Sequence, residues 1–181
     1  MPAREPGCDP GAAREADAPG TGGSAVPDSL IVMPVEFRIA RAEDVPIIVA
    51  MLADDVVAAG RQGDFGDEHR AAFELVDADP GNELIVAELD GEVVGTMQLT
   101  YIPGISRRGA LRMQIEAVRI ASGLRGRGLG RTMMEWALDR ARARGCTLVQ
   151  LTTDKSRTDA HRFYDSLGFV ASHEGYKLSL T

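Results

Sequence analysis

Arg125-Gly126-Arg127-Gly128-Leu129-Gly130-Arg131 is the stretch on which the reading of this 181-residue chain turns. Before it, Leu111 to Ile120 reads as a strand. After it, Leu129, Met133, Trp136, Ala137 and Ala141 fall on one face of a helix that Gly145 closes. A strand that runs through a glycine loop into a helix is an arrangement that holds phosphate. Glycines accept φ > 0 and let a ligand approach the backbone. The first N–H groups of the helix have no partner within it, and its positive dipole end favours an anion. Arg125, Arg127 and Arg131 add positive charge.

Three ligand classes compete for such a loop. A nucleoside-triphosphate loop ends in Lys followed by Ser or Thr, and this one does not. A dinucleotide fold opens with Gly-x-Gly-x-x-Gly at the start of a βαβαβ unit. Here the spacing is Gly-x-Gly-x-Gly, hairpin strands precede it, and about 50 residues follow. Asp154, 24 residues beyond Gly130, mimics the ribose-binding acid of that fold and keeps the class open. The third class, a CoA thioester, presents a pyrophosphate to the same cradle and agrees with both the spacing and the order of elements.

Outward from the loop, the chain alternates between the two periodicities of secondary structure. Val35 to Ile39 reads as a strand, Glu43 to Ala59 as a helix on Ile47, Ala50, Met51, Val56 and Val57, and Asp67 to Val76 as a second, short helix. Asp79-Pro80-Gly81-Asn82 is a turn. Leu84–Leu89 and Val93–Ile102 flank Asp90-Gly91, a strong hairpin signal. Thr147–Thr152 is a strand and Asp159–Leu167 a helix with Ala160, Phe163, Tyr164 and Leu167 on one face. Phe169–Ser172 and Tyr176–Leu180 are predicted to close the chain as a hairpin. The order β-α-α-β-β-β-α-β-α-β-β describes an α+β domain with a single mixed, mostly antiparallel sheet flanked by helices.

Residues 1–34 hold six of the nine prolines and few large apolar groups, so they cannot bury enough surface to offset their ordering entropy and are predicted to be disordered. The folded domain is then 35–181. Met33, directly before the first patterned stretch, is a candidate for the true start. A tryptic peptide from residues 5–32 of the natively expressed protein would sink that idea.

A formal charge of −7 argues against a general nucleic-acid binder. No apolar run approaches the roughly 20 residues that span a bilayer, and the N-terminus has no secretory apolar region, so a cytoplasmic location is the default expectation. Cys8 and Cys146 stand in unrelated contexts and His161 and His173 lack ligand spacing, so neither a disulfide framework nor a metal site is expected.

Val118 to Gly130 resembles the acetyl-CoA motif of the GNAT superfamily of N-acetyltransferases, Arg/Gln-x-x-Gly-x-Gly/Ala, and Ala160 to Phe169 resembles its second signature, Ala-x-x-x-Tyr-x-x-x-Gly-Phe. The resemblance covers roughly residues 36 to 180. It implies an α/β/α domain that uses acetyl-CoA as co-substrate to acetylate a primary amine of a small molecule or peptide. Val118, Arg119 and Ile120 would lie along the pantetheine where their strand splays from the next. The Val118 N–H would polarise the thioester carbonyl, and Arg125, Gly126, Arg127, Gly128, Leu129, Gly130 and Arg131 would surround the pyrophosphate. The family's usual Asn before the last helix is absent from Lys155-Ser156-Arg157-Thr158-Asp159, leaving Ser156 or Arg157 for its contact. Ser122 stands where proline is common. A homodimer is also an implication of the resemblance.

Amide formation needs a base for the amine, whose pKa is about 10, and an acid for the departing thiolate, whose parent pKa is about 8.5. Tyr164 matches the tyrosine that faces the CoA sulfur in the resembling enzymes. Glu116 is the candidate base; period 2 puts it on one strand face with Gln114, Val118 and Ile120. Cys146 opens a strand and reads as core. The acceptor stays open: Asp64, Asp67 and Glu68 in one loop suit a cationic amine, Arg107 and Arg108 in another suit a carboxylate. A non-catalytic acyl-CoA sensor and a nucleotide-binding protein are the remaining readings.

Overall fold

The computed structural model describes residues 34–54 and 63–180. The expectations for the tail, for Met33 as a start and for the first helix beyond Asp54 lie outside the described residues. Met33–Thr181 form one compact unit.

Its sheet has five strands in the order β1 (Glu36–Ile39), β2 (Asn82–Leu89), β3 (Glu92–Pro103), β4 (Leu111–Ile120) and β5 (Leu148–Leu151). Neighbours are antiparallel except β4 and β5, which run parallel. The helices are α1 (Val45–Ala53), entered through a 3-10 turn at Ala42–Asp44, then α2 (Asp67–Ala78), the single turn α3 (Ser106–Gly109), α4 (Leu129–Ala143) and α5 (Thr158–Asp165). Asp90 and Gly91 both take positive φ, 52° and 81°, as a two-residue turn with the twist of a hairpin requires.

Each face of the sheet carries its own apolar cluster. On one, Ile85, Met97, Leu99, Met113 and Ile115 pack against Met133, Met134, Ala137 and Ala141 of α4. On the other, Val86 meets Ala40 and the α1 residues Ile48 and Met51, with Phe73 of α2 beside them. Trp136, on the edge of the α4 stripe, stacks on Phe37 with ring centroids 5.0 Å apart.

Among the described residues, Glu83 is the one charged side chain sunk into the α4 face, at 4% exposed. It accepts from Tyr101 Oη at 2.9 Å and from Arg140 Nε and Nη2 at 2.9 and 2.7 Å, and it also pairs with Arg144. Burial pushes its carboxyl up, but the hydrogen bonds from Arg140 and Tyr101 and the two arginine charges outweigh that and hold it below the usual glutamate value. The Tyr101 hydroxyl is pushed up to about 12 by burial and by that same bond.

The α+β class and the order of the first five strands agree with expectation; the closing hairpin does not. Residues 169–180 carry no strand, and Val170, Tyr176, Leu178 and Leu180 are 80–91% exposed. Tyr176, Leu178 and Leu180 do alternate, but a two-stranded hairpin is marginal alone and needs a sheet edge to pair with. The edge offered by β5 is four residues long.

Candidate active site

The chemistry of the site begins with an irregularity in β4. Gln98 of β3 faces Glu116, and Thr96 faces Arg119, so Met97 alone stands opposite both Ala117 and Val118. That is a β-bulge, and Ala117 takes φ 53° to make it. A non-glycine residue in the left-handed region costs about 1–2 kcal/mol, and such residues cluster where structure serves function.

The bulge shifts the alternation by one residue. Glu116 therefore shares its face with Arg112, Gln114 and Arg119, whereas Val118 and Ile120 turn to the α4 side and pack on its cluster. The period-2 expectation that grouped Glu116 with Val118 and Ile120 is corrected: strict alternation fails across an inserted residue. Glu116 is also exposed, so it carries none of the desolvation cost that a central-strand carboxylate suggests.

The pairing of β4 with β5 ends at Ile115 and Leu151, so the strands part beyond that point. The glycine loop lies beside this opening. A Cβ placed on Gly130 would come within 3.2 Å of Ile120 Cδ1 and 3.6 Å of Phe163, so the start of α4, the end of β4 and α5 converge there. Gly126 and Gly128 take φ 77° and 86°, and nothing lies within 4 Å of a Cβ built on either. These are the requirements of a backbone cradle: a curvature that side-chained residues resist, and open space above it.

The arginines around the loop divide their work. Arg125 donates through Nη2 to Asp54 Oδ2 at 2.7 Å and through Nε to the Ile120 carbonyl at 3.2 Å, tying the loop to the end of α1 and to β4. Arg131 donates to Ser166 Oγ at 2.8 Å, joining α4 to the turn after α5. Arg127 is exposed. Asp54 as the partner of Arg125 had no signal in the sequence, because the two residues are 71 positions apart.

Tyr164 projects from α5 with its ring 5.3 Å from Phe163 and 5.9 Å from Phe169. Burial pushes its hydroxyl up, and the nearby Arg119 and Arg157 guanidiniums pull it back in part. The result is a phenol that keeps its proton above its ordinary range, beside two positive charges. Val118 lies on the convergent end of β4, and its carbonyl accepts from Arg119 Nη1 at 2.8 Å. Ser156 sits apart in the loop before α5, where its N–H and Oγ both bond Asp154 Oδ1, at 2.9 and 2.7 Å. Cys146 packs at the rim of the α4 cluster, and burial raises its thiol, which suits a spectator rather than a nucleophile.

On the α1–α2 face, polar side chains run across four strands. Thr100 Oγ1 and Gln98 Nε2 donate to Asn82 Oδ1 at 2.7 and 3.2 Å, and Gln150 Nε2 donates to Gln114 Oε1 at 2.7 Å. Sequence reading missed this row except for Glu116 and Gln114. The run Arg112, Gln114, Glu116 at every second position of an internal strand was the available signal. Among the described residues no helix is long and apolar enough to cross a membrane, and no group of three or more His, Cys, Asp or Glu could hold a metal.

Comparison with known proteins agrees with this geometry. The model of the Acetyltransferase (GNAT) family matches residues 47–169. An aminoalkylphosphonate N-acetyltransferase of Salmonella typhimurium is 31% identical over 143 residues, 78% of this chain and 90% of that protein. A solved structure named as a transcriptional regulator from Bacillus halodurans is 45% identical, with a TM-score of 0.78 over 81% of this chain and all of that one. The glucosamine-6-phosphate N-acetyltransferase of Arabidopsis thaliana shares the fold at 20% identity, with a TM-score of 0.69 over 82% of this chain and 99% of the other. A cradle of this form beside a split parallel strand pair, with a family match over most of the folded unit, places the chain in the GNAT family of acetyltransferases, as an acyltransferase of the N-acetyltransferase kind.

Proposed function

We propose that the protein transfers an acetyl group from acetyl-CoA to the primary amine of a small molecule by direct attack, without a covalent enzyme intermediate. The observation that carries this reading is the convergence of three elements: the open Gly126–Gly128 cradle, the parted end of β4, and Tyr164 of α5. The CoA pyrophosphate binds the N–H groups of the loop and of the start of α4, with Arg127 adding charge. The pantetheine follows Val118, Arg119 and Ile120, and Ser156, in the loop before α5, is the proposed polar contact for its arm. The Val118 N–H supports the carbonyl oxygen as negative charge develops on it.

The proton accounts balance with two side chains. Glu116 takes a proton from the acceptor ammonium, through water, and frees its lone pair. The nitrogen attacks the thioester carbon, and the C–S bond breaks as Tyr164 gives its phenolic proton to the departing sulfur. The extra proton on the new amide nitrogen passes through water to the Tyr164 phenolate, leaving amide, thiol and one proton on Glu116 that returns to solvent. Because its hydroxyl is raised, Tyr164 stays protonated throughout the neutral range. The test is thiol release over a panel of amines with Tyr164→Phe alongside. We expect kcat to fall tenfold or more while acetyl-CoA affinity stays similar. Unchanged turnover across pH 6–9 would remove Tyr164 from the mechanism.

The Salmonella relative acts on aminoalkylphosphonates, and that class heads the panel for this chain. A non-catalytic acyl-CoA sensor is favoured by one observation, the name of the Bacillus structure as a transcriptional regulator. Acetyl-CoA binding with no thiol release across the whole panel would establish it. Cytoplasmic residence and a homodimer complete the proposal; the exposed Tyr176, Leu178 and Leu180 offer a second copy an apolar surface, and light scattering reads the assembly.

A further inference from the structure

Arg112 is a half-buried arginine whose Nε is shut off from solvent with no hydrogen-bond partner among the described residues. Leaving a charged donor unpaired in a shielded place costs on the order of 1–3 kcal/mol, which the fold bears while holding the rest of the guanidinium beside an open space. Arg112 lines a cavity of about 90 Å3 together with Ser106, Arg107, Ala110, Leu148 and Gln150. Two of these six residues are arginines, none is acidic, and Ser106 and Gln150 add uncharged donors.

The size of the cavity narrows the ligand. A single water needs roughly 10–15 Å3 of such space, so the cavity takes several waters or one small head group, such as a carboxylate or a phosphonate. The chemistry narrows it further, since a guanidinium presents its N–H donors in a planar fork that matches an oxyanion.

Its position relates it to the reacting centre. Arg112 and Glu116 lie on the same face of β4, four residues apart, which is about 13 Å between their Cα atoms. Gln114 and Gln150, already hydrogen-bonded to each other, lie between them in the register. At the β3–β4 turn, Arg107 takes φ 53°, a strained conformation that the loop sustains beside the cavity.

From these observations we infer that the Arg107–Arg112 cavity is an oxyanion subsite for the acceptor. The substrate is then an amine joined through several carbon atoms to a carboxylate or phosphonate, its anion on Arg112 and its amine at Glu116. This rests on the acetyl-transfer reading given above, and it also settles the opposing signals of the two acceptor loops in favour of Arg107. An α-amino acid, with one carbon between its two charged groups, is too short to reach both ends.

The test measures binding and turnover separately. In the presence of CoA, calorimetric titration compares 5-aminopentylphosphonate, 5-aminopentanoate and n-pentylamine against the wild type and the variants Arg112→Met, Arg112→Lys and Arg107→Ala. We expect both oxyanionic amines to bind at least 30-fold more tightly than pentylamine. Arg112→Met should collapse that ratio towards one, Arg112→Lys should restore part of it, and Arg107→Ala should lower it several-fold. The better of the two anions identifies the head group. Equal binding of pentylamine, or a ratio unmoved by Arg112→Met and Arg107→Ala, would overturn the subsite. Should Arg112→Met fail to fold, Arg107→Ala on the surface turn carries the same comparison. Thiol release then separates the two ideas. Tight oxyanion binding without release would sink acetyl transfer and leave the subsite; release from pentylamine without oxyanion preference would do the reverse.

Discussion

The two faces of the sheet are made from the same strands, yet they are used in opposite ways. Beneath α4, the side chains of β2, β3 and β4 are mostly apolar, with Ile85, Met97, Leu99, Met113 and Ile115 buried at the centre, and the charged Glu83 among them is satisfied by three partners. On the other face, a row of Asn82, Thr100, Gln114 and Gln150, with Gln98 beside it, runs across the strands between Arg112 and Glu116. One face excludes water beneath α4, whereas the other does so around Val86 and leaves polar groups for a ligand towards β4 and β5. A strand with period 2 can serve both purposes at once. The bulge at Ala117 is what lets β4 exchange which residues serve which purpose halfway along its length.

That contrast is most severely tested at Glu83. Replacing it with Gln removes the charge that holds Arg140 and Arg144 at the sheet, and should cost about 2–3 kcal/mol, the range of a charge-assisted hydrogen bond. For a domain of this size that is a fall in Tm of about 5–10 °C, with turnover of the folded fraction retained. Its carboxyl is lowered in the folded state, so its contribution is complete above the unfolded glutamate value and is lost as pH falls through the folded one. Acid unfolding of the wild type should therefore steepen below the ordinary carboxylate range, and Glu83→Gln should flatten it. A variant as stable and as acid-sensitive as the wild type would remove Glu83 from the account.

A smaller effect is expected at the cradle. Gly126→Ala places a methyl group where nothing lies within 4 Å, so no clash arises within the protein itself. The loss is about 1 kcal/mol of stability from the positive φ, together with about a tenfold weaker acetyl-CoA affinity as the methyl takes ligand space. Equal affinity by calorimetry would show that the pyrophosphate lies elsewhere.

The smallest effect is the most pointed for the polar face. Gln114→Leu should leave Tm within about 2 °C, as substitutions away from the core do, while raising the acceptor KM about fivefold, roughly the worth of one hydrogen bond. A large loss of Tm with unchanged KM would mean that the polar row is scaffolding after all.

Much of this was legible in the sequence, for a physical reason. Elements that rest on local chemistry announced themselves: the Asp90-Gly91 hairpin, the apolar stripe of α4, the glycine loop running into a helix. Glycines at 126 and 128 could be read because the conformation they adopt excludes most other residues. What depends on a distant partner could not. Arg125 finds Asp54 and Glu83 finds Arg144 only after folding. The bulge needed Met97 opposite two residues, which no local pattern records, so the facing of Val118 and Ile120 was misjudged. Tyr176, Leu178 and Leu180 carry a strand's alternation but have no edge to pair with, and here periodicity overstated order.

The central claim is that the loop opening α4 holds a CoA thioester rather than a dinucleotide, and thermal shift measures this most directly. Ligand at 100 times its Kd adds about 2.7 kcal/mol, which in a chain of this length raises Tm by about 5–10 °C. Acetyl-CoA at millimolar concentration should produce a rise of that order, NAD at the same concentration almost none, and Gly126→Ala should reduce the first. An equal rise with NAD, or none with acetyl-CoA, would contradict the account at its base.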